Sequence, residues 1–168
     1  MSKAVVLLSG GIDSTVCLAD AVNRFNGPEN VIALTLFYGQ KHAKELESAK
    51  AVAGYFGVQH VIKNLVVYGA HADDAAGNAY PDCSVAFYTA LSQAVYEGTG
   101  HKVQLFAPLI SSFKKGIVKK GLELGAPFHL TWSCYNGTEK ACGKCGTCID
   151  RKKAFEANGV KDPIEYAE

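Results

Sequence analysis

The sequence has no apolar run approaching the roughly 20 residues that a membrane-crossing helix needs. It has little excess charge of either sign. Seventeen Lys and Arg stand against sixteen Asp and Glu, a formal net charge of +1, so no broad cationic surface for nucleic acid is announced. No repeat or low-complexity tract appears. The first apolar stretch, Ala4 to Leu8, is cut off by Ser9-Gly10-Gly11, which reads as a buried strand and not as the core of a signal peptide. A cytoplasmic protein without a membrane partner is the expectation. What the chain does have is a hydrophobic fraction of 48% over 168 residues, enough to bury a core in one domain of ordinary size with a small appendage.

Apolar runs alternate with segments of helical period. Ala4 to Leu8 is continuous rather than alternating, which predicts a strand buried on both faces. A helix with Leu18, Val22 and Phe25 on one face follows and stops at Gly27-Pro28. Val31 to Phe37 predicts a second strand, about His42 to Phe56 a second helix, and a third strand begins near Gln59. Val66 to Tyr68 is strand-like, and Gly69 to Pro81 is a polar loop. Asp82 is a candidate cap for a helix whose stripe runs Phe87, Leu91 and Ala94 or Val95. Val103 to Phe106 predicts a short strand. Ser112 precedes a Lys-rich helix closed by Gly125, and a last helix ends at Asn158-Gly159. The alternation predicts an α/β fold, an open and mainly parallel sheet with helices on both faces, over residues 1–128. Residues 129–168, which hold four of the six cysteines, are expected to form a C-terminal zinc-binding extension.

Ser9-Gly10-Gly11-Ile12-Asp13-Ser14 lies between the first strand and the first helix, where open α/β sheets bind ligands. Adjacent glycines let successive N–H groups converge on an anion, and the helix start adds partial positive charge. Ser9, Ser14 and Thr15 add hydroxyls, and Asp13 suits phosphates only if Mg²⁺ bridges them. A bare Gly-Gly after a strand is usually only a tight turn, but the six-residue string in this place is more specific. No Gly-Lys-Ser/Thr follows, so this is not a Walker sequence. The string resembles the pyrophosphate loop of enzymes that cleave ATP between its α and β phosphates, and the resemblance implies ATP contacts at Leu8 to Thr15 with Asp13 and Ser14 as catalytic residues.

Four of the six cysteines fall at Cys134, Cys142, Cys145 and Cys148, two overlapping C-x-x-C pairs with one distant ligand. In a reducing compartment this spacing reads as metal binding rather than disulfides. Four thiolates around Zn²⁺ make a closed, structural site, whose net −2 charge Lys140, Lys144, Arg151, Lys152 and Lys153 are placed to offset. An iron–sulfur cluster and a redox dithiol are the alternatives. Cys17 and Cys83 lie outside the spacing and read as small buried hydrophobes.

Taken together, Ser9 to Ser14, Phe37-Tyr38-Gly39-Gln40-Lys41-His42, Tyr80-Pro81-Asp82-Cys83, Leu130-Thr131-Trp132-Ser133-Cys134-Tyr135, the cysteine spacing and Asp150-Arg151 resemble the 7-cyano-7-deazaguanine synthases. That family belongs to the pyrophosphate-loop superfamily, with an adenine nucleotide alpha-hydrolase-like fold. The resemblance implies ATP-dependent conversion of 7-carboxy-7-deazaguanine and ammonia to the nitrile, through adenylated intermediates and in a homodimer. ATP and Mg²⁺ act at the loop, and zinc is structural. It also implies two departures. Position 84 is Ser where the family commonly has Arg. Roughly 50 family residues, a crossover helix among them, have no counterpart between Asn64 and Leu65.

The other polar residues divide between function and surface. His71, Asp73, Asp74 and Tyr80 are substrate or Mg²⁺ candidates against a solvated loop. Tyr38, Gln40 and His42 follow a strand end. Asp82 is either a helix cap or a ligand. Trp132 and Tyr135 either stack on the deazapurine or pack beneath the cysteine lobe. Lys114, Lys115, Lys119 and Lys120 read as a solvated helix face, with phosphate binding as the alternative. Two rival functions stand beside the main one: a tRNA thiolation enzyme of the same superfamily, and a degenerate, non-catalytic zinc module.

Overall fold

In the computed structural model of the protein, residues 3–37, 43–64, 84–136 and 139–167 are described. They form two compact units. One joins the described residues up to Asn64 with those from Phe113 onward, and the other holds the described residues up to Ser112. The expected boundary at 128/129 does not coincide with this division, because the cysteine-bearing tail packs within the first unit.

The first unit is built on three parallel strands, β1 (Ala4–Leu7), β2 (Val31–Phe37) and β3 (Gln59–Asn64), in the order β1-β2-β3. Val5 is paired with Ile32, and Ala33 with His60. The crossovers are α1 (Ile12–Arg24) and α2 (Ala43–Phe56). Parallel neighbours need such long connections, and helices supply them by burying an apolar stripe on the sheet. Leu8, Leu18, Ala21, Val31, Ala33, Ala49, Val52, Ala53 and Val58 form that buried core, with Val22, Phe25 and Phe56 packed at its margin. The stripe expected of α1, Leu18, Val22 and Phe25, is therefore among the residues used.

Strand β1 departs from expectation. Val6 packs on the core, but Val5 and Leu7 are 63% and 64% exposed. Their side chains project to the face opposite α1 and α2, since successive residues of a strand alternate. A continuous apolar run thus marks a strand with one open face among the described residues.

Helix α4 (Lys114–Glu123) packs on α1, and α5 (Gly146–Glu156) packs on α4. Gly121 makes the first contact possible: a Cβ there would lie 2.2 Å from the Phe128 ring and 2.7 Å from Val16. Asp20, nearly buried, joins Arg24 at 2.7 Å and Lys120 at 2.8 Å across the same interface. Asn158 Nδ2 donates to the Lys115 carbonyl at 3.0 Å, fixing α5 to α4.

The second unit contains α3 (Val85–Gly98). Ser84 caps it by accepting from the Phe87 amide at 3.1 Å, which satisfies one of the helix's first free donors. The stripe residues Phe87 and Leu91 are exposed. Tyr88 donates to the Leu105 carbonyl at 3.0 Å, but residues 103–106 form no strand. Apolar composition alone does not supply the neighbouring backbone that a strand requires. The strand-like Val66 to Tyr68 and the junction at Leu65 lie outside the described residues.

Candidate functional site

The Ser9–Ser14 loop is shaped by Gly10. Its φ of +90° favours glycine, and a Cβ there would stand 2.4 Å from the Glu45 carbonyl oxygen and 2.7 Å from the Ala49 nitrogen. The loop can therefore lie against the N-terminal half of α2 only with a hydrogen at this position. Gly11 is different: it is extended, caps α1 without a side-chain bond, and has room for a Cβ. Among the described residues nothing accepts from the first amides of α1, which together with the helix dipole suit an anion.

Two serines complete the loop. The Gly11 amide donates to Ser9 Oγ at 3.4 Å, Ser9 and Ser14 hydroxyls lie 3.1 Å apart, and Ser14 Oγ donates to the Gly11 carbonyl at 3.2 Å. Leu8 and Ile12 are core residues, 1% and 3% exposed, so only their backbone can face a ligand. Thr15 is fully buried, with its hydroxyl unpartnered among the described residues.

Asp13 is held from across the fold. Lys114, at the start of α4, donates from Nζ to both carboxylate oxygens of Asp13 at 2.8 and 2.7 Å. Both side chains are substantially exposed. Such a pair contributes about 0–1 kcal/mol to stability, so exchanging it for contacts to a ligand costs the fold little. Of the four lysines read as a solvated face, Lys114 is at the loop. Lys120 is tied to Asp20, and Lys119 faces Glu123 at 4.0 Å.

Behind the loop, Thr35 Oγ1 donates to the Leu8 carbonyl at 2.6 Å and lies 2.8 Å from His60 Nε2. The hydroxyl's one hydrogen is used on Leu8, so His60 Nε2 carries the proton in the second bond. Burial, then the charge of Lys50, lowers the His60 pKa.

The Sγ atoms of Cys134, Cys142, Cys145 and Cys148 all lie within 4.8 Å of one another. Zinc–sulfur bonds of about 2.3 Å at tetrahedral angles require sulfurs about 3.8 Å apart, so this donor set fits the metal with small adjustments. The polar surroundings fit as well. Backbone amides of Asn136 and Cys142 point at Cys134 Sγ (3.4 and 3.3 Å), and those of Lys144 and Cys145 at Cys142 Sγ (both 3.4 Å). The last two amides hold the Cys142 thiol below its ordinary pKa. Cys145 is brought down to about 6: burial opposes the shift, but the Thr147 hydroxyl and the amides of Tyr135 and Cys148 outweigh it. Thiolates are the form a metal binds.

The expected cationic screen is only partly free for this task. Arg151, 1% exposed, gives its charge to Asp162 through Nε at 2.7 Å and Nη2 at 2.9 Å, and bonds Thr131 Oγ1 at 2.7 Å. Lys140 pairs with Glu165 at 3.0 Å. Lys152 stays near, reaching the Gly143 carbonyl at 3.4 Å. Tyr166 donates to Asp162 at 2.6 Å, and burial followed by this bond pushes its pKa up. The sequence carries no local signal for the Arg151–Asp162–Tyr166 cluster.

Trp132 packs beneath the cysteine lobe. It is 7% exposed, and Lys44 Nζ lies 5.1 Å from its ring centroid. Tyr135 is half exposed. Cys17 is partly buried, and that burial followed by the charges of Asp13 and Asp20 pushes its thiol up to about 11. Tyr38, Gln40, His42, His71, Asp73, Asp74, Tyr80, Asp82 and Cys83 lie outside the described residues.

Comparison with known proteins gives concordant matches. A family model described as queuosine biosynthesis protein QueC matches residues 3–70 and 62–159. The 7-cyano-7-deazaguanine synthase of Caldicellulosiruptor bescii is 36% identical over 219 residues, covering 98% of this chain and 97% of that one. The enzyme of the same name from Archaeoglobus fulgidus is 39% identical over 216 residues, with 96% and 89% covered. The first alignment is 219 positions long against 168 residues in this chain, so at least 51 positions hold no residue of it. With a family model covering most of its length and relatives above 30% identity end to end, the chain belongs to the QueC family.

Proposed function

We propose that the protein converts 7-carboxy-7-deazaguanine and ammonia to 7-cyano-7-deazaguanine at the expense of ATP, in the cytoplasm and as a homodimer. The observation that carries this reading is the loop itself: free α1 amides, two serine hydroxyls and the Asp13–Lys114 pair at one strand end. In the first half-reaction a substrate carboxylate oxygen attacks the α-phosphorus of ATP and the bond to the β-phosphate oxygen breaks. The amides of α1, Ser9, Ser14 and Lys114 bind the departing pyrophosphate, where negative charge accumulates. Ammonia then attacks the acyl carbon, AMP leaves, and a proton is lost to give the amide. A second ATP is attacked by the amide oxygen, again releasing pyrophosphate. Loss of AMP with the remaining N–H protons yields the nitrile.

Asp13 is the residue that would hold Mg²⁺, which supplies charge neutralisation along the phosphates. Cys134, Cys142, Cys145 and Cys148 would hold zinc as a structural ion, since four protein thiolates leave no open position. The substrate-binding role of Tyr38, Gln40, His42, His71, Asp73, Asp74, Tyr80 and Asp82 remains part of this proposal. So does the position of the shortfall relative to the family, near residues 64–65. The two stretches matched by the family model overlap at 62–70, which supports that position.

The thiolation alternative needs a reactive cysteine. Cys17 is a poor candidate, with its thiol pushed up to about 11. The deciding experiment is pyrophosphate release with and without the deazaguanine acid. Release that depends on the acid and ammonia supports the synthase. ATP turnover that ignores the acid favours another pyrophosphate-loop reaction, and none at all favours the non-catalytic module.

A further inference from the structure

We propose that Trp132 is a positioning residue that ties the phosphate loop to the cysteine cluster, so that metal occupancy sets the order of the loop. The inference rests on reading Ser9 to Ser14 as the ATP loop and adds a control element to it.

The connection is short and continuous. The Trp132 amide donates to the Gly10 carbonyl at 3.0 Å. On its other side Gly10 is already pressed against the Glu45 carbonyl, so its peptide is gripped between α2 and residue 132. The Trp132 indole Nε1 donates to the Cys134 carbonyl at 3.0 Å, and the ring packs with Cys134, Ala141 and Cys148. Only one residue separates the residue that holds the loop from the first cysteine of the cluster.

Each residue of this segment is fixed by the elements that carry the cysteines. Thr131 Oγ1 accepts from Arg151 at 2.7 Å, and the Ser133 carbonyl accepts from Thr147 Oγ1 at 2.6 Å. Cys134 Sγ accepts from the Cys142 amide at 3.3 Å. Arg151 and Thr147 both lie on α5, whose first turn includes Cys148. A metal joining Cys134 to Cys142, Cys145 and Cys148 would lock residues 131–134 to α5. Without that crosslink, the strap under Gly10 is held by its hydrogen bonds and by the packing of the Trp132 ring.

Trp132 is the chain's one tryptophan, so its emission reports on this junction directly. The test is hydrogen exchange of the peptide spanning residues 8–14, without nucleotide, in zinc-loaded wild type, W132F and W132A, and in wild type treated with a chelator. W132A should keep its zinc while its loop amides exchange roughly fivefold to tenfold faster, as expected when a ring and a hydrogen bond are lost. W132F, which keeps a smaller aromatic ring and loses the Nε1 bond, should fall between. Chelation of wild type should accelerate the same loop amides and red-shift the tryptophan emission while β2 stays protected. The KM for ATP should rise in W132A more than kcat falls. Unchanged loop exchange in zinc-loaded W132A overturns the proposal, as does a chelated protein that deprotects 134–148 but not 8–14. Loss of protection throughout β1, β2 and β3 in W132A would assign Trp132 a merely structural role and overturn it too. Exchange is read without nucleotide, so its outcome stands whether or not the loop proves to bind ATP.

Discussion

Lys114 Nζ sits within 2.8 Å of both carboxylate oxygens of Asp13, joining the start of α4 to the start of α1 across 101 residues of sequence. The pair places one cation and one anion at the mouth of the Ser9–Ser14 loop, where the proposed reaction gives each a partner on a metal-bound nucleotide. Lys114→Ala should lower pyrophosphate release by about 10²-fold or more, the range for removing one preorganised donor from a developing charge. Asp13→Ala should reduce it at least as far. Thermal midpoints should move by no more than about 2 °C, because the pair is exposed. Steady-state kinetics and a melting curve on each variant check this, and full turnover in both would remove Asp13 and Lys114 from the site.

The two glycines of the loop should respond differently to the same substitution. Gly10→Ala sets a Cβ 2.4 Å from a backbone oxygen at φ +90°. Strain of this kind costs about 1–3 kcal/mol, and the loop should shift. Gly11→Ala meets nothing closer than 3.6 Å, so its stability should stay within about 0.5 kcal/mol of wild type. Urea titrations of the two variants provide the comparison.

Metal analysis should return one zinc per chain. Replacing Cys134 or Cys148, both buried, with Ser should release it and destabilise the first unit, since metal binding is part of the folding free energy. A stable wild-type protein free of metal would contradict the assignment.

His60 should confer a pH dependence. Its folded-state pKa lies below the unfolded value of about 6.5, so the unfolded chain takes up the proton first. Its contribution is present above about pH 6.5 and is lost as pH falls from there towards the folded pKa. The urea midpoint of wild type should therefore decline more steeply between about pH 7 and 5 than that of His60→Gln. Parallel curves would show that the ring's burial has no energetic effect.

Much of the fold and the loop is legible in sequence because it is local. The run Val31 to Phe37 forms β2 at those bounds, and the four cysteines converge as their spacing implies. Gly10 and Ser14 stand where a strand-to-helix turn puts them. The rest is set by partners distant in the chain. Nothing adjacent to Lys114 distinguishes it from Lys119, and only the packing of α4 on α1 brings it to Asp13. Arg151 reads in sequence as a screen for thiolate charge, but Asp162, eleven residues on, claims it in the interior. Ser84 displaces Asp82 as the cap of α3 because its hydroxyl, at the helix start, reaches the Phe87 amide.

The first unit is assembled from both ends of the chain, its two parts separated in sequence by the second unit. During synthesis the strands and α1 emerge first, while α4, Trp132 and the cysteines are still to be made. At about 5–20 residues per second, the 101 residues added after Asp13 up to Lys114 take about 5–20 s. For that interval Val16 and Asp20 on α1 have no α4 to close against, and the α1–α4 contacts are of high sequence separation. Such pairings form slowly, which makes the nascent N-terminal segment the stage at which this protein is most exposed to misassembly.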